Sequence, residues 1–219
     1  MDEIVQKIAV LALPVLFAIT LHEAAHAYAA KYFGDATAYL QGRMSLNPVK
    51  HIDPFGTIIL PVLLALLHSP VMLGYAKPVP VNFGNLRKPK RDMAWVALAG
   101  PAANFVMALF WLVLSRILEA ANIEEPFFVG MAYAGIYINI LLLAFNLFPL
   151  PPLDGGRVLT SLLPHKYAYK FAQVEPYGFF IVLALVSFTN IMSFWLIPVT
   201  ALAKFMLNLF ASPLNIFLT

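Results

Sequence analysis

The chain has 219 residues, 61% of them hydrophobic and only 11% charged, with a mean hydropathy of +0.80 and a formal net charge of +3. A soluble domain carries about 25% charged residues, so this composition excludes an ordinary water-soluble globule and makes lipid the solvent. There is no cysteine, which rules out thiol catalysis, disulfides and thiolate ligands and leaves His and carboxylate for any metal.

Asp2 and Glu3 stand where a signal peptide would be basic, so the apolar N-terminus reads as part of a first helix over 4–33, stopped by Gly34-Asp35. Residues 36–52 are mixed and alternating, which predicts a short β-hairpin. Residues 54–74 are apolar but carry Pro54, Pro61 and Pro70, and 75–92 are polar and basic. A second span covers 93–118, a short loop carries Glu119, Glu124 and Glu125, and a third span covers 127–148. Pro149, Pro151 and Pro152 break that span just before Asp154-Gly155-Gly156. Residues 157–176 are polar, and 178–210 are apolar with interruptions at Asn190 and Pro198. A crossing needs about 20 residues, so this last stretch is either a tight helical hairpin or one long kinked helix.

The basic residues fall in blocks between apolar runs, which points to orientation in a membrane and not to nucleic acid. Lys31, Arg43, Lys50, Lys77, Arg87, Lys88, Lys90 and Arg91 lie between residues 31 and 91, and Arg157, Lys166 and Lys170 come later. If these segments share the cytoplasmic side, 54–74 cannot cross once. Its prolines and short length then predict a re-entrant element or two short legs, against the rival of a single crossing that would put one basic segment outside.

The sharpest chemical signal is His22-Glu23-Ala24-Ala25-His26 inside the first apolar helix. Positions i and i+4 share a helix face, so both imidazoles can reach one metal. A catalytic zinc takes three protein ligands and a water, whose pKa it lowers to about 7. Glu23, beside the first ligand, is placed to act as general base. Ionisable groups in an apolar helix are costly unless they are partnered, which favours metal binding over a chance match. The third ligand has to come from elsewhere. Asp154 follows a proline-broken helix and precedes two glycines that let the chain bend, although a turn or helix-cap role fits the same residue. His51, His68 and His165 read as solvated or interfacial side chains. Asn104 and Asn146 also sit in apolar runs, either as interhelical glue or as groups that bind the substrate carbonyl.

Four pieces in order, HEAAH at 22–26, NPVKHIDPFG at 47–56, AGPAAN at 99–104 and NLFPLPPLDGG at 146–156, make the chain resemble the site-2 proteases, intramembrane zinc metalloproteases. YAKPVPVN at 75–82 is similar to the compact prokaryotic branch without PDZ or CBS domains. The resemblance implies one zinc per chain held by His22, His26 and Asp154, with Glu23 as base. It also implies that Asn146 positions substrate or stabilises the intermediate, and Asn104 is carried with it as a substrate-binding candidate. The fold it implies is an all-α polytopic membrane protein: a three-helix catalytic core, additional transmembrane helices, the short β-hairpin and the re-entrant segment. The expected organisation is a single integral membrane peptidase domain over 1–219, with its catalytic core at about 5–165 and a C-terminal helical segment at about 177–211.

The expected partners are transmembrane proteins or peptides as substrates and the lipid bilayer, with no nucleic acid. The expected location is a prokaryotic cell membrane, multi-pass, with the active site open to the cytoplasm. Two rival readings use the same histidine pair: a membrane metal transporter or sensor, and a non-catalytic family member.

Overall fold

A computed structural model describes residues 2–66 and 74–212. In lipid, a backbone has to satisfy its own N–H and C=O groups, and the long apolar runs do so as helices. In chain order these are α1 (Asp2–Phe33), a single turn α2 (Thr37–Leu40), α3 (Leu60–Leu66), α4 (Pro89–Ala120), α5 (Pro126–Asn146), α6 (Asp154–Leu162), α7 (His165–Ala172), α8 (Glu175–Phe188) and α9 (Ile191–Ala211). Four of them, α1, α4, α5 and α9, are long and apolar enough to cross a bilayer. The adjoining α7 and α8 bend by 68° and add a fifth crossing only if they act as one span.

The central element is α4, which packs against α1, α5, α6 and α9. Lipid tails are as apolar as the side chains, so helix association here depends on close contact and not on escape from water. The interfaces accordingly use small residues: Ala24, Ala27 and Ala30 on α1, Ala97 and Ala108 on α4, Ala132 and Ala144 on α5, and Ala203 on α9 are all buried. Gly135 lies directly under the Trp111 ring, leaving no room for a Cβ. Large apolar side chains such as Phe17, Val106, Phe110 and Phe194 point outward, an arrangement that is stable only against lipid.

The expected hairpin is not formed, and residues 36–52 contain no strand. Their backbone bonds are spent locally instead. Gly42 takes a left-handed φ of 64°, and Arg43 N–H closes back on Ala38 O at 2.8 Å, which ends α2 in the manner of a glycine C-cap. Asn47 then caps a 3-10 turn at Pro48–His51 through the Val49 N–H. His51, read from sequence as a solvated or interfacial side chain, is buried and donates from Nε2 to Ser45 O at 2.8 Å.

The proline-bearing run at 54–74 begins as a π-helical turn, Pro54–Ile59, and continues into α3. Residues 67–73, including His68, lie outside the described residues. The two ends of the run meet. Tyr75 N–H donates to Gly56 O at 3.0 Å, and the Thr57 hydroxyl donates to Tyr75 O at 2.9 Å. The last apolar stretch divides at Thr189-Asn190 into α8 and α9, two helices and not one kinked rod.

Asp35 ties the end of α1 both to the start of α2 and to the distant loop that precedes α4. Its buried carboxylate accepts hydrogen bonds from the Thr37 N–H and hydroxyl, from Asn82 N–H at 2.8 Å and from Asn85 Nδ2 at 3.1 Å. Burial pushes its pKa up, but these hydrogen bonds outweigh it and hold the carboxyl below its ordinary value. Asp35→Ala is expected to cost about 3 kcal/mol by orphaning these donors, seen as a lower unfolding midpoint in detergent. A depressed native pKa stabilises fully above roughly pH 4 and is lost as pH falls through it. The gap between wild type and variant should therefore close on acidification.

Candidate metal centre

His22 and His26 lie one turn apart on α1 and are both buried. Asp154 is the first residue of α6, also buried. It reaches them through a tight run, Phe148–Leu153, which contains a cis Pro151–Pro152 peptide. The glycines after Asp154 are required by packing. A Cβ on Gly155 would meet the Leu147 carbonyl, and one on Gly156 would meet the Pro151 nitrogen.

The two Nε2 atoms are 3.1 Å apart, and each is 3.2 Å from Asp154 Oδ2. The protons on the two rings can be located from their partners. Asn104 Nδ2 donates to Asn139 Oδ1 at 3.0 Å and to Ala18 O at 3.3 Å, so Asn104 Oδ1 is the acceptor for His22 Nδ1–H at 2.6 Å. Asn139 is fixed in turn by donating to Gly135 O at 2.8 Å. His26 Nδ1–H donates to the Val96 carbonyl at 2.7 Å. Both neutral imidazoles therefore present an Nε2 lone pair to the same point.

Asp154 Oδ2 is buried and has no hydrogen-bond partner among the described residues. Three lone pairs facing one another in a buried space repel unless a cation lies among them. Tetrahedral zinc with bonds of about 2.0–2.1 Å separates its ligands by roughly 3.3–3.4 Å, close to the spacing found. Two imidazoles and one carboxylate, with a fourth position left open, also match the donor set of hydrolytic zinc sites. The residues present fit the ion.

One wall of the centre is thinned for it. A Cβ on Gly100 of α4 would collide with His26 Nε2 and come within 2.7 Å of His22 Nε2. Here α4 presents bare backbone to both rings, and the next residue, Pro101, has no N–H to offer the helix ladder.

A cavity of about 600 Å³ opens beside the centre, lined by His22, Glu23, His26, Asn146 and Asp154 and by the aromatic side chains of Phe55, Tyr75, Phe83, Phe179 and Phe180. Glu23 is half-buried, and its Oε2 accepts the Val79 N–H at 2.8 Å. Asn146 donates one N–H to Leu142 O at 3.0 Å and lines the cavity. Arg157 and Glu175 pair at 2.9 Å in the cavity wall. Of the residues singled out from sequence, His22, His26 and Asp154 come together, while Glu23 and Asn146 line the cavity next to them. Asn104 does not. It is fully buried behind His22, with its polar atoms bonded inside the protein, and it does not line the cavity.

Three parts of this backing were not singled out from sequence: the Val96 carbonyl, Gly100 and Asn139. A signal existed for two of them. Gly100 and Asn104 are four residues apart on one helix face, and Asn139 lies two turns before Asn146 on α5. The carbonyl of Val96 leaves no trace in the sequence.

The family model described as Peptidase family M50 matches residues 116–189, which include Asp154 but not the histidine pair. YwhC of Bacillus subtilis, which bears the name of a candidate zinc metalloprotease, is 41% identical over 180 residues, 80% of this chain and 78% of that protein. Rip2 of Mycolicibacterium smegmatis, named in the same way, is 34% identical over 171 residues, 78% of this chain and 63% of that protein. The zinc metalloprotease MJ0392 of Methanocaldococcus jannaschii is 32% identical over 81 residues, 37% of this chain and 23% of that protein. No solved structure matches.

Gly100→Ala is expected to bring bound zinc well below one ion per chain by elemental analysis of the purified protein. Asn139→Leu, which removes the support two bonds behind His22, should weaken zinc binding by roughly 10-fold or more, read by competition with a chelating dye.

Proposed function

The chain belongs to peptidase family M50, the zinc metalloproteases that cut peptide bonds at the membrane, and on that footing we propose the part each residue plays. His22 and His26 through Nε2, and Asp154 through Oδ2, would hold the zinc. Bound there, zinc acts as a Lewis acid that makes water acidic enough to attack near neutral pH. Glu23 takes the proton from the attacking water and gives it to the leaving amine nitrogen. Its bond to Val79 N–H engages one carboxylate oxygen, which fixes the side chain and leaves the other for the proton. Asn146 offers an N–H to the scissile carbonyl, where negative charge develops. Asn104 and Asn139 hold His22 in the tautomer that faces the metal.

Substrates on this reading are membrane-spanning proteins or peptides. A helix hides its carbonyls in its own hydrogen bonds, so the segment to be cut has to unwind first. The aromatic cavity walls then receive its apolar side chains. The basic segments at 31–91 and 157–170 face the cytoplasm. The joined ends of the 54–74 run, at Gly56 and Tyr75, support a re-entrant element, and the cavity mouth opens on that side on this reading. The three-helix core is α1, α4 and the α5–α6 unit that carries Asp154. Residues 1–219 act as one peptidase unit.

The observation that carries the reading is the buried meeting of His22, His26 and Asp154 beside Glu23. A transporter or sensor would need further metal stations along a path, and among the described residues this trio is the one cluster that could hold a metal ion. A non-catalytic member would not need Glu23 on the cavity wall. The test reconstitutes wild type and Glu23→Gln into vesicles with zinc and a pool of transmembrane peptides. Cleavage should fall by about 10²-fold or more while zinc stays at one per chain. Undiminished cleavage by the variant would remove Glu23 from its role, and zinc movement across the vesicle wall without cleavage would favour a transporter.

A further inference from the structure

On the lipid-facing side, away from the catalytic cavity, α5 and α9 enclose a groove of about 290 Å³ lined by Tyr137, Ile140, Ser193, Ile197, Thr200 and Lys204 among others. It shares no residue with the cavity at the metal centre. Lys204 is exposed on α9, thirteen residues after Ile191 and seven before Ala211. At 1.5 Å per residue it stands about 20 Å from one end and about 10 Å from the other of a helix long and apolar enough to cross a bilayer. No carboxylate among the described residues pairs with it.

A lysine at such depth costs about 2.5–3.5 kcal/mol without a partner, and intramembrane cations are normally paired. The surroundings are polar in a way that suits a partner. Ser193, Thr200 and Tyr137 line the groove with the lysine, the Thr200 hydroxyl donating to Leu196 O at 2.7 Å, while Ile140 and Ile197 give it apolar walls.

We propose that this groove docks a transmembrane helix of another membrane protein, one that carries a buried Asp or Glu opposite Lys204. A second copy of this chain supplies no such group from α5 or α9, the helices that form the groove. Neither α5 nor α9 contains an acidic residue, Glu23 is engaged at the metal centre, Asp92 is buried, and Glu119 lies at a helix end. A lipid phosphate sits at the membrane surface, roughly 10 Å farther along the helix, and meets Lys204 poorly. The groove lies apart from the cavity, so its occupant is an adaptor or regulator and not the peptide being cut.

The experiment uses the full-length protein in phosphatidylcholine vesicles and a fluorescent poly-leucine transmembrane peptide with one Glu seven residues from its end. Energy transfer measures association against an all-leucine peptide, with a second arm that adds phosphatidylglycerol. Wild type should bind the Glu peptide roughly tenfold more tightly than the leucine peptide. Lys204→Met should erase that preference, and so should Thr200→Trp, which fills the groove without removing the charge. Lys204→Glu should transfer the preference to a Lys-bearing peptide. None of these changes should alter peptide cleavage. Equal binding of the two peptides by wild type overturns the proposal, as does a preference that survives Lys204→Met. A Lys204-dependent response to phosphatidylglycerol alone would overturn it in favour of a lipid site.

Discussion

Two imidazole nitrogens and a carboxylate oxygen lie within 3.2 Å of one another in a buried space. With Nδ1–H of each ring donating to Asn104 or Val96, the two neutral imidazoles turn their Nε2 lone pairs toward the carboxylate. Such a cluster is repulsive by itself and strongly attractive around a divalent cation. Much of the surrounding structure can be understood as what holds these atoms against their mutual repulsion: α1 supplies two of them at helical spacing, the break after α5 aims the third, and α4 closes the back.

The contribution of α4 is a surface stripped of side chain. Gly100 lets the rings approach its backbone, and one turn on either side the same helix supplies the acceptors, Val96 O and Asn104 Oδ1. The amide chain from His22 through Asn104 and Asn139 to Gly135 O joins three helices in one direction of donation. Each member is satisfied, which is what allows it to sit in an apolar interior without penalty. The same chain fixes which nitrogen of His22 is free for the metal, so packing and chemistry are decided by one set of bonds.

Lipid as solvent explains the rest of the plan. The helices pack through alanine and glycine because close approach is the attraction available to them, and their large apolar side chains face outward. Among the described residues, polar groups mark the metal centre, the cavity with its Arg157–Glu175 pair, the Asp35 tie at the end of α1 and Lys204 in the groove between α5 and α9.

The sequence alone determined the membrane class, the helical spans and the His22–Glu23–His26 face, because composition and helical period are local properties. It also brought Asp154 forward, since prolines followed by glycines mark where a carboxylate can leave a helix. It misread 36–52, because alternation cannot reveal that Gly42 and Asn47 would spend the backbone bonds within their own turns. It left Asn104 open between interhelical glue and a substrate contact, and packing sets it behind His22. Nor could it show the Val96 carbonyl, the tautomers of the two histidines or the meeting of Gly56 with Tyr75. Each of these depends on which backbones come face to face across 18 to 82 residues of chain, and only the tertiary structure decides that.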